Sequence, residues 1–151
     1  MIIFDNNVLS SFTKLNLLNE LGTLFRSVFI TDDILDEYSI TFSNTLPNLF
    51  VIEKTPSDFE PPNPPSSLSG ADLSIIKLAV NKNFPIATDD LSLRNYAKKL
   101  NIKITGSVGI LRAMWEEKII TDKDKYITLV SDLQKDLYLT PELIEWLLKN
   151  T

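Results

Sequence analysis

A mostly parallel α/β sheet with helices on both faces is the fold class this sequence predicts, and three observations predict it. Short apolar runs at residues 2–4, 28–30, 49–52, 84–87 and 102–104 alternate with longer stretches of helical spacing. Residues 84–109 fit strand, helix and strand into about two dozen residues, a compact parallel crossover. Several strand candidates stop on short polar residues, and the region beyond the carboxyl ends of parallel strands is where such sheets bind ligands. A sheet of about four to five strands follows.

The elements come in order. Ile2, Ile3 and Phe4 form a buried-strand candidate closed by Asp5-Asn6-Asn7, residues that end a strand and can cap a helix. A helix is expected from Val8, and an amphipathic one over 15–25, where Gly22 is a weak point. After the strand at 28–30, Thr31 can cap a helix whose apolar stripe is Ile34, Leu35, Tyr38 and Phe42, with Glu37 bordering it. Residues 56–66 hold five of the eight prolines and are expected to be an extended surface loop. Ser69-Gly70-Ala71-Asp72 opens a helix through Asn81, and a further one follows Asp90. Residues 107–118 are helical by spacing, Thr121-Asp122-Lys123-Asp124 has capping-box form, and Thr140-Pro141-Glu142 starts a last helix through Leu148. There is no repeat and no low-complexity segment.

Composition removes several chemistries. The 151 residues include no cysteine and no histidine, so thiolate sites, imidazole zinc sites and Ser-His-Asp catalysis are excluded. Catalysis must rest on carboxylates, hydroxyls, amides, Lys or Arg, and a bound metal would be a hard, oxygen-ligated cation. The net charge of −5 argues against a general nucleic-acid coat but not against a nuclease, because a cation-binding acidic cluster biases the total. Met1 leads straight into Ile2-Ile3-Phe4-Asp5, and no apolar run approaches the roughly 18 residues of a membrane span. A soluble, cytoplasmic protein without a membrane partner is the expectation.

Against that background the acidic residues stand out. Asp5 follows the first strand, Glu37 lies on the helix after the second, Asp72 opens a mid-chain helix, and Asp89 and Asp90 follow the 84–87 strand. Each has a plain alternative: Asp5, Asp72 and one of Asp89 or Asp90 would serve as helix caps, and Glu37 as a solvated carboxylate beside Asp32, Asp33 and Asp36. Taken together, topology would carry them to one sheet edge. Carboxylates so gathered repel, and a divalent cation such as Mg²⁺ or Mn²⁺ relieves the repulsion. A second ion roughly 4 Å away would complete a clamp for phosphodiester hydrolysis. Asn6 or Asn7 could orient Asp5, and Thr88 could bond a carboxylate or merely cap. Gly106 and Gly109 mark a tight turn whose amides could hold phosphate. Arg94, Lys98, Lys99 and Lys103 could track an RNA backbone or form a solvated face, while Trp115 and Trp146 are expected in core or dimer contacts rather than as base-stacking platforms.

These motifs resemble those of PIN-domain ribonucleases of the VapC type. I-I-F-D-N-N-V-L resembles the first motif, T-D-D-I-L-D-E-Y the second with its glutamate at Glu37, and L-S-G-A-D-L-S-I-I-K-L-A the third with its acid at Asp72. I-A-T-D-D-L-S-L-R-N-Y resembles the fourth, whose Thr-x-Asp pattern selects Asp90 with Asp89 alongside. I-T-G-S-V-G-I-L resembles a Thr-Gly-x-x-Gly-x-Leu feature of one prokaryotic, often archaeal, branch. The third motif departs from that branch, where a Gly-Glu-Ala-Glu pattern is common and extra acids occur. The resemblance covers residues 1–120, the expected nuclease domain, with 121–151 as a helical extension packing on it. It implies a PIN-like three-layer α/β/α fold and Mg²⁺- or Mn²⁺-dependent cleavage of single-stranded RNA. Asp5, Glu37, Asp72 and Asp90 would be catalytic, with Asp89 also at the metal. It further implies a homodimer and a toxin paired with an antitoxin protein. The alternative is a PIN-like binding or assembly domain without turnover.

Overall fold

The computed structural model describes residues 1–151. Its strands are β1 (Ile2–Phe4), β2 (Val28–Thr31), β3 (Phe50–Glu53), β4 (Ile86–Ala87) and β5 (Ile104–Thr105). They form one all-parallel sheet in the order β3-β2-β1-β4-β5. The helices are α1 (Asn6–Lys14), α2 (Leu21–Leu24), α3 (Asp32–Thr41), α4 (Gly70–Lys82), α5 (Leu91–Lys99), α6 (Ser107–Glu116), α7 (Lys123–Leu133) and α8 (Pro141–Leu148). Every residue of β1, β2 and β4 is buried, as strands covered by helices on both faces must be. This is the three-layer α/β/α architecture expected of the sequence. Phe4 anchors its centre, meeting Phe25 and Phe50 edge-on at centroid distances of 6.1 and 6.4 Å.

One topological detail positions everything that follows. From β1 the chain builds outward to β2 and β3 on one side, then to β4 and β5 on the other. The order therefore reverses between β1 and β4, the switch point where a crevice opens beyond the strand ends. Pairing continues past the formal strand ends: Asp5 N donates to Ala87 O at 3.1 Å, and Thr88 N to Thr105 O at 2.9 Å. The backbone of Asp5 and Thr88 is thereby held at the carboxyl edge of the sheet by strand-to-strand bonds.

Three local expectations need correction. No continuous helix spans 15–25, because α1 ends at Lys14 and Asn16 takes φ 58°, a left-handed conformation that asparagine tolerates. The reversal lets both Leu17 and Leu21 reach the core. Strand β4 begins at Ile86 rather than residue 84, and β5 at Ile104 rather than 102. The cap of α7 is Asp122, not Thr121; its Oδ1 accepts from Asp124 N at 2.9 Å and Lys125 N at 3.3 Å, so the expected box does not form.

The 56–66 loop is free of helix and strand and is pinned at Pro62, whose carbonyl accepts from Tyr96 Oη at 2.6 Å. The C-terminal helices attach through a buried arginine. Arg112 Nη1 donates to Leu147 O at 2.9 Å, Tyr126 Oη donates to the same carbonyl at 2.7 Å, and Arg112 Nε pairs with Glu116 at 2.9 Å. Arg112→Ala removes a charge-assisted bond and the packing of the side-chain stem. Urea unfolding is expected to show a loss of about 2–3 kcal/mol. No helix is long and apolar enough to cross a membrane.

Candidate metal and active site

The site is built where helix N-termini meet the carboxyl edge of the sheet. Asp5 caps α1, its Oδ1 accepting from Val8 N at 2.8 Å. Its Oδ2 accepts from Thr88 Oγ1, and the residue is 3% exposed. Thr88 is fully buried, and its hydroxyl oxygen also accepts from Asp90 N at 3.1 Å. One hydroxyl thus gives its proton to Asp5 and a lone pair to the backbone of Asp90. This two-sided bond is a physical reason for a threonine two residues before an aspartate.

Asp90 caps α5 through Oδ2, which accepts from Leu93 N at 2.9 Å. Asp72 completes a capping box with Ser69: its Oδ2 accepts from Ser69 N at 3.0 Å, and its own N–H donates to Ser69 Oγ at 3.1 Å. Capping and site-forming are therefore not alternatives here. Each of these two caps uses one carboxylate oxygen and leaves the other without a protein donor. Glu37 is exposed one residue before the buried Tyr38, and its Oε1 accepts from Asn6 Nδ2 at 3.4 Å. Asn6 thus reaches Glu37 rather than Asp5, linking α3 to the start of α1.

Asp89 is turned the other way, toward α6. Ser107 N donates to its Oδ1 at 2.8 Å and Ser107 Oγ to its Oδ2 at 2.6 Å. Arg94 Nη1 donates to Thr88 O at 3.1 Å, closing the same corner. Gly106 is required there: a Cβ would stand 2.7 Å from Asp89 Oδ1 and 2.9 Å from Arg94 Nη1. Gly106→Ala is expected to displace the Asp89–Ser107 clamp and lower stability by about 1–3 kcal/mol, read as a lower thermal midpoint. Lys98 and Lys99 are exposed in the last turn of α5, roughly 12 Å further along the helix from Asp90. They do not join the edge.

The electrostatics single out Asp5. Burial pushes its carboxyl up to about 7; bonds from Thr88 and Val8 pull it down, and the charges of Asp89 and Asp72 push it up. No lysine or arginine pairs with it. The acids around this corner offer only oxygen, and Asp5 among them is buried without a countercharge. No three acidic side chains come close enough to cage a cation by themselves. Such a set fits Mg²⁺ or Mn²⁺, which takes one or two carboxylates and keeps waters.

Beside these acids lies a polar cleft of about 410 Å³, lined among others by Asn7, Ser10, Lys14, Asp89, Asp90 and Asp136. Lys14 and Asp136 form an ion pair at 3.1 Å across it. Ser10 and Lys14 were not singled out from sequence, although they lie four and eight residues after Asn6 and so share its helix face. Ser107, which holds Asp89, carried a signal only as part of the glycine-rich turn. Asp136 lies beyond α7 and carried none.

Fold and site together define a parallel α/β domain in which Asp5 and Asp90 follow the two strands that flank the switch point, Asp72 acts on Asp5 through its charge, and Glu37 is joined to Asn6. A family model described as DUF3368, PIN domain, matches residues 1–151, and the chain belongs to the PIN-domain family. PIN domains are in general nucleases and in general use divalent metals. No curated protein and no solved structure matches the chain.

Proposed function

We propose that this chain is a metal-dependent endoribonuclease that hydrolyses phosphodiester bonds of single-stranded RNA with Mg²⁺ or Mn²⁺. The observation that carries it is Asp5: a carboxylate buried without a cationic partner, crowded by Asp72 and Asp89, at the sheet's switch point. A bound divalent cation supplies Lewis-acid polarisation of a phosphate oxygen and a more acidic water. The protein's part is orientation. Val8 and Thr88 fix both oxygens of Asp5, while Asp72 and Asp90 present one unbonded oxygen each. Asn6 steadies Glu37 at the rim. Metal ligation, direct or through water, falls to Asp5, Glu37, Asp72 and Asp90, with Asp89 a structural neighbour whose charge reaches the site. A role as the toxin of a toxin–antitoxin pair, with an antitoxin protein as partner, and a homodimeric state rest on the motif resemblance.

End-labelled single-stranded RNA incubated with Mn²⁺, Mg²⁺ or EDTA tests the reading. Cleavage in either metal, none in EDTA, and none by Asp90→Ala is the expected result. Intact RNA in both metals contradicts it. One observation favours a second reading, a PIN-like binding domain without turnover: the acids do not close into a three-carboxylate cage. That domain would bind RNA or protein with no Mn²⁺ uptake dependent on Asp90.

A further inference from the structure

Next to the acidic edge lies a second hollow, of about 490 Å³, that the proposed hydrolysis does not use. One wall is Leu91, Arg94 and the Gly106 backbone; the other is the segment between α7 and α8 together with α8 itself, bringing Tyr138, Leu143 and Trp146. Eight of its thirteen lining residues are hydrophobic, yet it opens to solvent. Tyr138 is 83% exposed, Leu91 70% and Trp146 45%, whereas Trp115 stacks on Tyr126 at 4.8 Å. Only one of the two tryptophans is thus part of an internal stack. Of the core or dimer contacts expected of Trp146, the core contact is not what the structure shows, since the residue is exposed.

We propose that this hollow is a nucleobase subsite, taking a base of the single-stranded RNA whose neighbouring phosphate lies at the acidic edge. It rests on the ribonuclease reading above and deepens it by naming where the substrate's bases go. Three observations select that occupant. The hollow adjoins the site, because Asp89, Leu91 and Leu137 line both it and the polar cleft that holds Asp90. Its lining combines exposed aromatic rings with one guanidinium, the pairing that stacks bases and steadies a phosphate without reading sequence. Its size suits a nucleotide-sized ligand, whereas a stable protein interface takes roughly 20–30 residues a side. Arg94 is the only cation in the lining. Gly106 beside it brings bare backbone to the same wall, where a Cβ would stand 2.9 Å from Arg94 Nη1 and 2.7 Å from Asp89 Oδ1.

The subsite gives Trp146 a spectroscopic role. Titration of the Asp5→Asn chain with a short single-stranded RNA in Mg²⁺ is expected to quench tryptophan emission. Trp146→Leu in the same background is expected to lose that quench and bind roughly 10-fold more weakly, and an RNA with one abasic position to bind similarly weakly. In the chain that retains Asp5, Trp146→Leu and Tyr138→Ala are expected to raise KM for cleavage and leave kcat and the thermal midpoint unchanged. Cleavage with KM unchanged in both variants overturns the subsite and leaves the ribonuclease reading standing. Binding with base-dependent quenching but no cleavage supports the subsite and removes the hydrolase. Neither binding nor cleavage removes both. A dimer in sedimentation that Trp146→Leu converts to monomer would place a second copy of the chain in the hollow and also overturn the subsite.

Discussion

Asp5→Asn is expected to cut Mn²⁺-dependent RNA cleavage by more than about 100-fold, beyond the loss typical of groups that only support a metal ligand. The folded chain should survive the change. Asparagine is as good a helix cap as aspartate, so the Val8 N–H keeps its acceptor. Its amide would face Thr88 Oγ1 as a donor, and the Thr88 hydroxyl proton would have to find another acceptor. Against that cost of about 1 kcal/mol stands the removal of a buried charge repelled by Asp72 and Asp89. In EDTA above neutral pH the variant is therefore expected to melt at or above the midpoint of the unsubstituted chain. Loss of cleavage with a raised midpoint separates a site residue from a merely structural one. Full cleavage by Asp5→Asn would remove Asp5 from the chemistry.

The second large effect is in the pH dependence of the metal-free protein. Asp5 is raised to about 7 when folded, from 3.8 when unfolded. Between those values the folded state keeps a proton that the unfolded chain has released, so stability falls as pH rises through this window. Below it both states are protonated, and above it both are ionised and the loss is complete. For this group alone the difference is on the order of 4 kcal/mol. Chemical denaturation at pH 5 and pH 8 in EDTA should show the decline, and Asp5→Asn should remove it. A divalent cation at the site favours the ionised carboxylate, so Mn²⁺ is expected to restore stability at pH 8 and have little effect at pH 5. Equal slopes for the two chains would mean that Asp5 is not the buried, unpaired group described.

The sequence made the architecture readable because strand and helix signals here are local. A buried parallel strand such as Ile2–Phe4 announces itself as an apolar run, and Ser69 with Asp72 as a capping box. The candidate acids were legible for a related reason: Asp5 and Asp90 are N-caps at strand-to-helix junctions that a parallel sheet gathers on one edge, and Asp72 closes the capping box begun by Ser69. What stayed hidden depends on side-chain direction. Asp89 and Asp90 are neighbours in sequence, yet one binds Ser107 of α6 and the other caps α5. The Thr-x-Asp pattern selects Asp90, but spacing alone does not tell that Asp89 turns to Ser107. The break at Asn16 was likewise invisible, since 15–25 keeps helical spacing while tertiary packing of Leu17 and Leu21 imposes the turn. Trp146 and Tyr138 acquire a setting only once α8 folds back beside α6 through Arg112 and Leu147.

Calorimetric titration of the metal-free protein with Mn²⁺ at pH 8 addresses the central point most directly. Saturable binding that Asp5→Asn and Asp90→Ala each abolish is the result expected of a switch-point edge that gathers carboxylates around a cation. Absence of binding, or binding unchanged in both variants, would contradict it.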